Sequence, residues 1–198
     1  MYTREELNPK GFGKYEVNVI DHQINLKDGT VLSVKSWFPR PKENFGPLLT
    51  STKYCEPNPS SEQDETKFPA VLEYLAYCKS TWTRERDHLR HPWLASHGYV
   101  VLRPDMRGSG DSGGVYYDEY LKQEQDDCCE VIDWISKQSW SNGSVGMFGK
   151  SWGGFNGLQV AFEQPPALKA VISLYSTDNR YYKRFDFKYR APQLRIFA

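Results

Sequence analysis

The sequence predicts an α/β fold on a mostly parallel sheet that opens with an antiparallel hairpin. Two observations carry this. Short apolar runs alternate with amphipathic segments from residue 69 to 174, and the first two runs are separated by a turn rather than a helix. A third concerns size: 198 residues and 23.0 kDa suit one domain that buries a core without disulfides or metals. A hydrophobic fraction of 39%, a charged fraction of 25% and a mean hydropathy of -0.68 fit a soluble globular chain rather than a disordered one. Lys+Arg and Asp+Glu balance at 25 each, so no net charge draws the chain to nucleic acid or an anionic membrane.

The first 14 residues are polar. Tyr15 to Ile20 and Val31 to Phe38 then flank Asp28-Gly29, a turn dipeptide, and read as a hairpin. Pro39 to Lys67 turns to Pro, Ser, Asn, Glu and Thr and reads as a long surface loop. Pro69 to Leu75 is a short strand, and a helix is expected from His91-Pro92-Trp93, with Pro92 at its first position, to His97-Gly98. Tyr99 to Arg103 is the next strand, followed by a glycine-rich turn from Gly108 to Gly114.

Between Asp118 and Lys137, Leu121, Cys128, Val131, Ile132 and Ile135 share one helical face. The acidic run Asp118, Glu119, Glu124, Asp126, Asp127, Glu130 and Asp133 then reads as the solvated face and first turns of that helix. Ser144 to Gly149 is a strand, Gly153 to Glu163 a helix, and Leu168 to Leu174 the last buried strand. From Lys183 onward five basic residues face one acidic residue, and no periodicity assigns this tail a place in the sheet.

Cys55, Cys78, Cys128 and Cys129 form no C-x-x-C pair, so neither a zinc site nor a disulfide framework is indicated. The N-terminus has no apolar run behind its charges, and no stretch reaches 18 apolar residues. The compartment expected is the cytoplasm, with no membrane and no nucleic acid among the partners.

Gly149-Lys150-Ser151-Trp152-Gly153 matches G-x-S-x-G between an apolar strand and a helix, the setting of a nucleophile elbow. Such a turn lifts the Ser151 hydroxyl to the carboxyl edge of the sheet. The helix N-terminus and the Trp152 backbone N–H can then stabilise a developing oxyanion. Gly108-Ser-Gly110-Asp-Ser-Gly113 matches G-x-G-x-x-G after a strand, but no helix opens directly behind it as a dinucleotide site requires. His88, His91 and His97 cluster within ten residues without a carboxylate at ligand spacing, which favours helix-boundary roles over a metal site.

Taken together, several segments resemble the CocE/NonD group of α/β-hydrolases, relatives of cocaine esterase and of the S15-type X-Pro dipeptidyl-peptidases. They are the Asp28-Gly29 hairpin, Leu72 to Tyr77, His91-Pro92, His97-Gly98-Tyr99, Asp105 to Gly114 and Gly149 to Val160. The resemblance covers about residues 15–182, a partial α/β-hydrolase domain, and leaves 183–198 as a basic tail unlike the family. It implies an α/β-hydrolase fold and a serine hydrolase acting on small ester or amide substrates, or on short peptides with an X-Pro bond. It also implies no cofactor. By resemblance Ser151 is the nucleophile, and Tyr77 supplies a hydroxyl to the oxyanion hole beside the Trp152 N–H. Two departures stand out: Ala76 replaces the proline that usually precedes that tyrosine, and the loop from Lys42 to Lys67 is longer than usual.

The family's order of Ser, then acid, then His leaves this chain short. His22, His88, His91 and His97 all precede Ser151, and the acids that follow it are Glu163, Asp178 and Asp186. The expectation is a C-terminally truncated hydrolase without triad acid or base, whose last strand is left as an apolar edge. Two alternatives are an inactive binding module with this fold, and a site completed by His88, by His91 or by another chain.

Overall fold

The computed structural model describes residues 13–40, 67–76, 90–177 and the backbone of 194–197. The expected hairpin forms from β1 (Glu16–Asn25) and β2 (Val31–Arg40), paired antiparallel from Glu16↔Arg40 to Asn25↔Val31. Gly29 sits at φ +85°, a backbone conformation that costs glycine little, and the Thr30 N–H donates to the Asp28 carboxylate at 2.9 Å. The loop expected over 39–67 falls almost wholly outside the described residues.

The remaining strands are β3 (Phe68–Leu72), β4 (Val100–Pro104), β5 (Ser141–Lys150), β6 (Leu168–Leu174) and β7 (Leu194–Phe197). Among the described residues they form a seven-stranded sheet in the order β1-β2-β4-β3-β5-β6-β7. Pairing is parallel through β4, β3, β5 and β6 and antiparallel at both ends.

Among the described residues, three helices cover the faces: α1 (Arg90–Ser96), α2 (Lys122–Ser136) and α3 (Trp152–Phe162). Leu32, Val34, Leu72, Leu102, Val145 and Met147 pack with Cys128, Val131, Ile132 and Ile135 of α2 and Val160 of α3. Trp37 and Val101 pack instead with Ala95 of α1. Val100 and Leu102 thus face one layer and Val101 the other, which is why β4 reads as an unbroken apolar run. Helices on both faces of a largely parallel sheet are the α/β architecture the sequence implied.

Several boundaries shift for local reasons. The described part of helix α1 already includes Arg90 and His91, so Pro92 is not its first residue. It ends as expected: Gly98 at φ +93° donates to the Ala95 carbonyl at 3.0 Å. Helix α2 starts at Lys122 rather than near Asp118, because Tyr120 lies at φ +62° and a left-handed residue cannot sit inside an α-helix. The 194–197 backbone corrects a further expectation, since it pairs antiparallel with β6 from Val171↔Phe197 to Leu174↔Leu194. The open edge of β6 accepts it, although four residues are too few for a sequence pattern to reveal.

The acidic run on α2 is corrected as well. Glu124 and Asp127 are buried, on the same side of the helix as Cys128 and Val131. Asp127 receives a two-pronged contact from Arg107, Nε to Oδ2 at 2.7 Å and a second guanidinium nitrogen to Oδ1 at 2.8 Å. The same guanidinium reaches Asp28 at 2.7 Å and Thr30 at 2.5 Å, which pins the hairpin turn to α2. Cys128 is enclosed in the core, where burial pushes its thiol well up from the ordinary range. Among the described residues, no helix is long and apolar enough to cross a membrane.

Candidate active site

Ser151 lies between the end of β5 and the start of α3, at φ 55° and ψ −110°. A β-carbon is costly in this conformation, and a non-glycine residue persists there only where its surroundings dictate it. Here they do. The Ser151 N–H donates to the Leu174 carbonyl at the end of β6 at 2.8 Å, and the Ser151 carbonyl accepts the Phe155 N–H of the first helical turn at 3.0 Å. The side chain is exposed at the carboxyl edge of the parallel strands.

The flanking glycines give the turn its room, unequally. A Cβ on Gly149 would stand 2.1 Å from the Gly153 carbonyl carbon, and one on Gly154 would stand 2.9 Å from Ser173 Oγ and 3.0 Å from the Leu174 carbonyl oxygen. At Gly153, the second glycine of the motif, the nearest atoms are Leu75 Cδ2 at 3.3 Å and the Tyr74 carbonyl oxygen at 3.5 Å. The expected collision is therefore severe at 149 and mild at 153. The contact with Leu75 also brings the chain that follows β3 against the start of α3.

Trp152 follows Ser151 as the first residue of α3, with its backbone N–H in the opening turn of the helix. Its indole N–H donates to Glu124 Oε1 at 2.8 Å, and its ring packs on Tyr120 and Tyr116 with centroids 5.2 and 5.9 Å away. Neither Glu124 nor these tyrosines stood out in the sequence. The signal was available, because Glu124 lies four residues before Cys128 and so shares the apolar face of α2. Tyr77 and His88 lie outside the described residues, as do Asp178 and Asp186.

Three histidines are described, each with partners of its own. His22 Nε2 meets Ser36 Oγ at 2.8 Å, and His97 Nδ1 meets the Trp93 carbonyl at 2.7 Å, closing α1 as expected of a helix-boundary residue. His91 is buried under α1, with Nε2 2.6 Å from Glu73 Oε2 and its ring against Trp37. Arg103 also meets Glu73 Oε2 at 3.2 Å, and Arg90 lies 3.5 Å from Oε1. Burial alone would raise the Glu73 carboxyl. The hydrogen bond from His91 and the charges of Arg103 and Arg90 outweigh it and hold the group at about 2. Burial pushes the His91 imidazole down, against the raising effect of the neighbouring Glu73 carboxylate. Glu163, the first acid after Ser151, is exposed and paired with Lys122 at 3.2 Å.

The G-x-G-x-x-G run is a closed turn rather than a phosphate cradle. The Gly108 N–H donates to the Gly113 carbonyl at 2.9 Å, the Gly113 N–H donates to the Val31 carbonyl at 2.8 Å, and the next helix starts only at Lys122.

The chain is similar to known hydrolases. Cocaine esterase of Rhodococcus sp. is 34% identical over 103 residues, which make up 50% of this chain and 16% of that protein. The solved structure of a CocE/NonD family hydrolase from Staphylococcus aureus superposes with a TM-score of 0.56 at 26% identity, covering 78% of this chain and 27% of its own. An aminopeptidase from a marine sediment archaeon, Thaumarchaeota archaeon, shares the fold with a TM-score of 0.58 at 20% identity, covering 89% of this chain and 27% of its own. The matched segments span only 16% to 21% of the length of the curated relatives. The model of the X-Pro dipeptidyl-peptidase (S15) family matches residues 28–195, running on into the segment set apart at 183. With this match over most of its length and an α/β-hydrolase sheet beneath Ser151, the chain belongs to the X-Pro dipeptidyl-peptidase (S15) family of hydrolases.

Proposed function

We propose that this chain carries the nucleophile half of a serine hydrolase that transfers the acyl group of an ester or amide, X-Pro dipeptidyl bonds included, to water. The observation that carries the reading is the backbone of Ser151, a non-glycine residue held at φ 55° and exposed where a parallel strand meets a helix N-terminus. In the reaction Ser151 Oγ attacks the carbonyl carbon, and the oxyanion that forms is held by the Trp152 N–H and the Tyr77 hydroxyl. The leaving group departs with a proton, and water then cleaves the acyl-enzyme.

No histidine follows Ser151 in this sequence, and His91 is committed to Glu73. In this reading the 198 residues hold the nucleophile and oxyanion-hole side of the site, and no histidine among them stands in the usual triad order. The substrate in this reading is a small molecule or short peptide. A serine hydroxyl without its base is a weak nucleophile, by about three orders of magnitude or more.

Incubation with a fluorophosphonate probe, followed by peptide mass spectrometry, tests both halves of the reading. Slow labelling that falls on Ser151 and vanishes in Ser151→Ala is expected. Label on other residues alone would remove Ser151 as nucleophile, and labelling as fast as in a complete hydrolase would show that a base is present.

A further inference from the structure

Among the described residues, a donor reaches each oxygen of the buried Glu124 carboxylate. Oε1 accepts the Trp152 indole N–H at 2.8 Å, and Oε2 accepts the backbone N–H of Tyr120 at 3.0 Å. Glu124 is only 5% exposed and sits in the first turn of α2, so both bonds form away from bulk water and are stronger for it. Tyr120 is itself held at φ +62°, and its ring meets both Trp152 and Phe155, with centroids 5.2 and 4.8 Å apart. One carboxylate thus joins three elements: the 115–121 segment, the start of α2, and the residue directly after the nucleophile.

A carboxylate in the first turn of a helix often serves only its own N-terminus, and the Tyr120 bond is of that kind. The indole bond is not. It links residues 28 apart in sequence and fixes the side chain of the residue whose backbone N–H faces the developing charge. Oxyanion stabilisation depends on a donor already aimed where the oxygen will be, so a group that stops Trp152 from pivoting acts on the reaction without touching the substrate.

We infer that Glu124 is a positioning residue for the oxyanion hole, setting the Trp152 backbone N–H through the indole side chain. This rests on Ser151 being the nucleophile. The proposal requires Glu124 and the indole N–H to act as a unit, whereas a helix-capping role alone requires them to act independently.

The test uses the 198-residue chain and the second-order rate of Ser151 labelling by a fluorophosphonate, whose phosphoryl oxygen occupies the oxyanion position. Glu124→Gln cannot accept from both donors with one oxygen, and Trp152→Phe keeps a ring but removes the indole N–H. Each is expected to slow labelling about 10- to 100-fold, and the double variant no more than either alone. Additive losses, or an unchanged rate in Trp152→Phe, would overturn the proposal even where Glu124→Gln fails to fold. If the unmodified chain shows no Ser151-dependent labelling, the nucleophile reading fails and the proposal falls with it, whereas labelling of the unmodified chain with additive losses in the variants overturns the proposal alone.

Discussion

Two glycine-rich turns leave the carboxyl ends of β4 and β5, the parallel strands on either side of β3, and they use glycine for opposite purposes. After β4, Gly108, Gly110 and Gly114 themselves occupy positive φ, at +68°, +56° and +84°. After β5, the residue at positive φ is Ser151, while Gly149 and Gly154 clear space for backbone to pass. The first arrangement places a tight turn where side chains would be strained. The second places the strain on the one side chain proposed to react. A strained position that spends no glycine on itself is the stronger pointer to function.

The comparison breaks or sharpens under substitution. The largest effect is expected from Gly149→Ala, whose methyl would meet backbone atoms of Gly153 at 2.1 Å that cannot swing aside. A loss of about 4 kcal/mol or more in urea unfolding is expected, and a loss under about 1 kcal/mol would show that the turn has slack. Gly108→Ala combines an unfavourable φ with a 2.1 Å approach to the Tyr116 nitrogen and should cost about 3 kcal/mol. Gly113→Ala, at ordinary contact distance from Val31, should cost less than about 1 kcal/mol. Equal losses at 108 and 113 would remove the distinction within that turn.

The ground beneath the turns has its own signature in pH. Glu73 lies two residues before Leu75, which abuts Gly153, and its carboxyl falls from 4.5 to about 2 on folding. A lowered carboxyl stabilises the fold fully above its unfolded value, and that stability is lost as pH falls from about 4.5 toward 2. The contribution is about 3 kcal/mol. His91, lowered by burial, adds a loss of the same sign once pH drops below its ordinary 6.5. Denaturant unfolding followed from pH 7 to 2.5 should show this decline, and Glu73→Gln should flatten its lower part. A variant that declines as steeply as the parent would place the acid sensitivity elsewhere.

A small effect is also expected at the serine. If φ 55° is strained, Ser151→Gly should unfold at higher denaturant than Ser151→Ala, by about 1 kcal/mol. The reverse order would mean that the turn is relaxed and that its likeness to the β4 turn is closer than drawn above.

Much of this was legible in the sequence because it rests on local rules. The hairpin followed from Asp28-Gly29, the end of α1 from Gly98, and the elbow from the glycines around Ser151. What escaped rests on contacts between distant elements. The spacing of Glu124 and Asp127 to Cys128 and Val131 could have placed both on the buried side of α2, but nothing in the sequence shows that Trp152 and Arg107 come to meet them. The four residues of β7 were unreadable because their pattern is supplied by β6 rather than by their own order.

The placement of β2 has a consequence for synthesis of the chain. Its inner neighbour is β4 rather than β3, joined from Val34↔Pro104 to Trp37↔Val101, and its start is clasped by Ser112 Oγ 2.8 Å from the Ser33 nitrogen. The hairpin is therefore made well before its partner strand and docks only after about 60 more residues have left the ribosome, a delay of roughly 3 to 12 s at ordinary elongation rates. Through that interval β2 presents an unpaired edge and the Trp37 ring to the cell, so slower translation past residue 40 should lower the yield of folded chain, and faster translation should raise it.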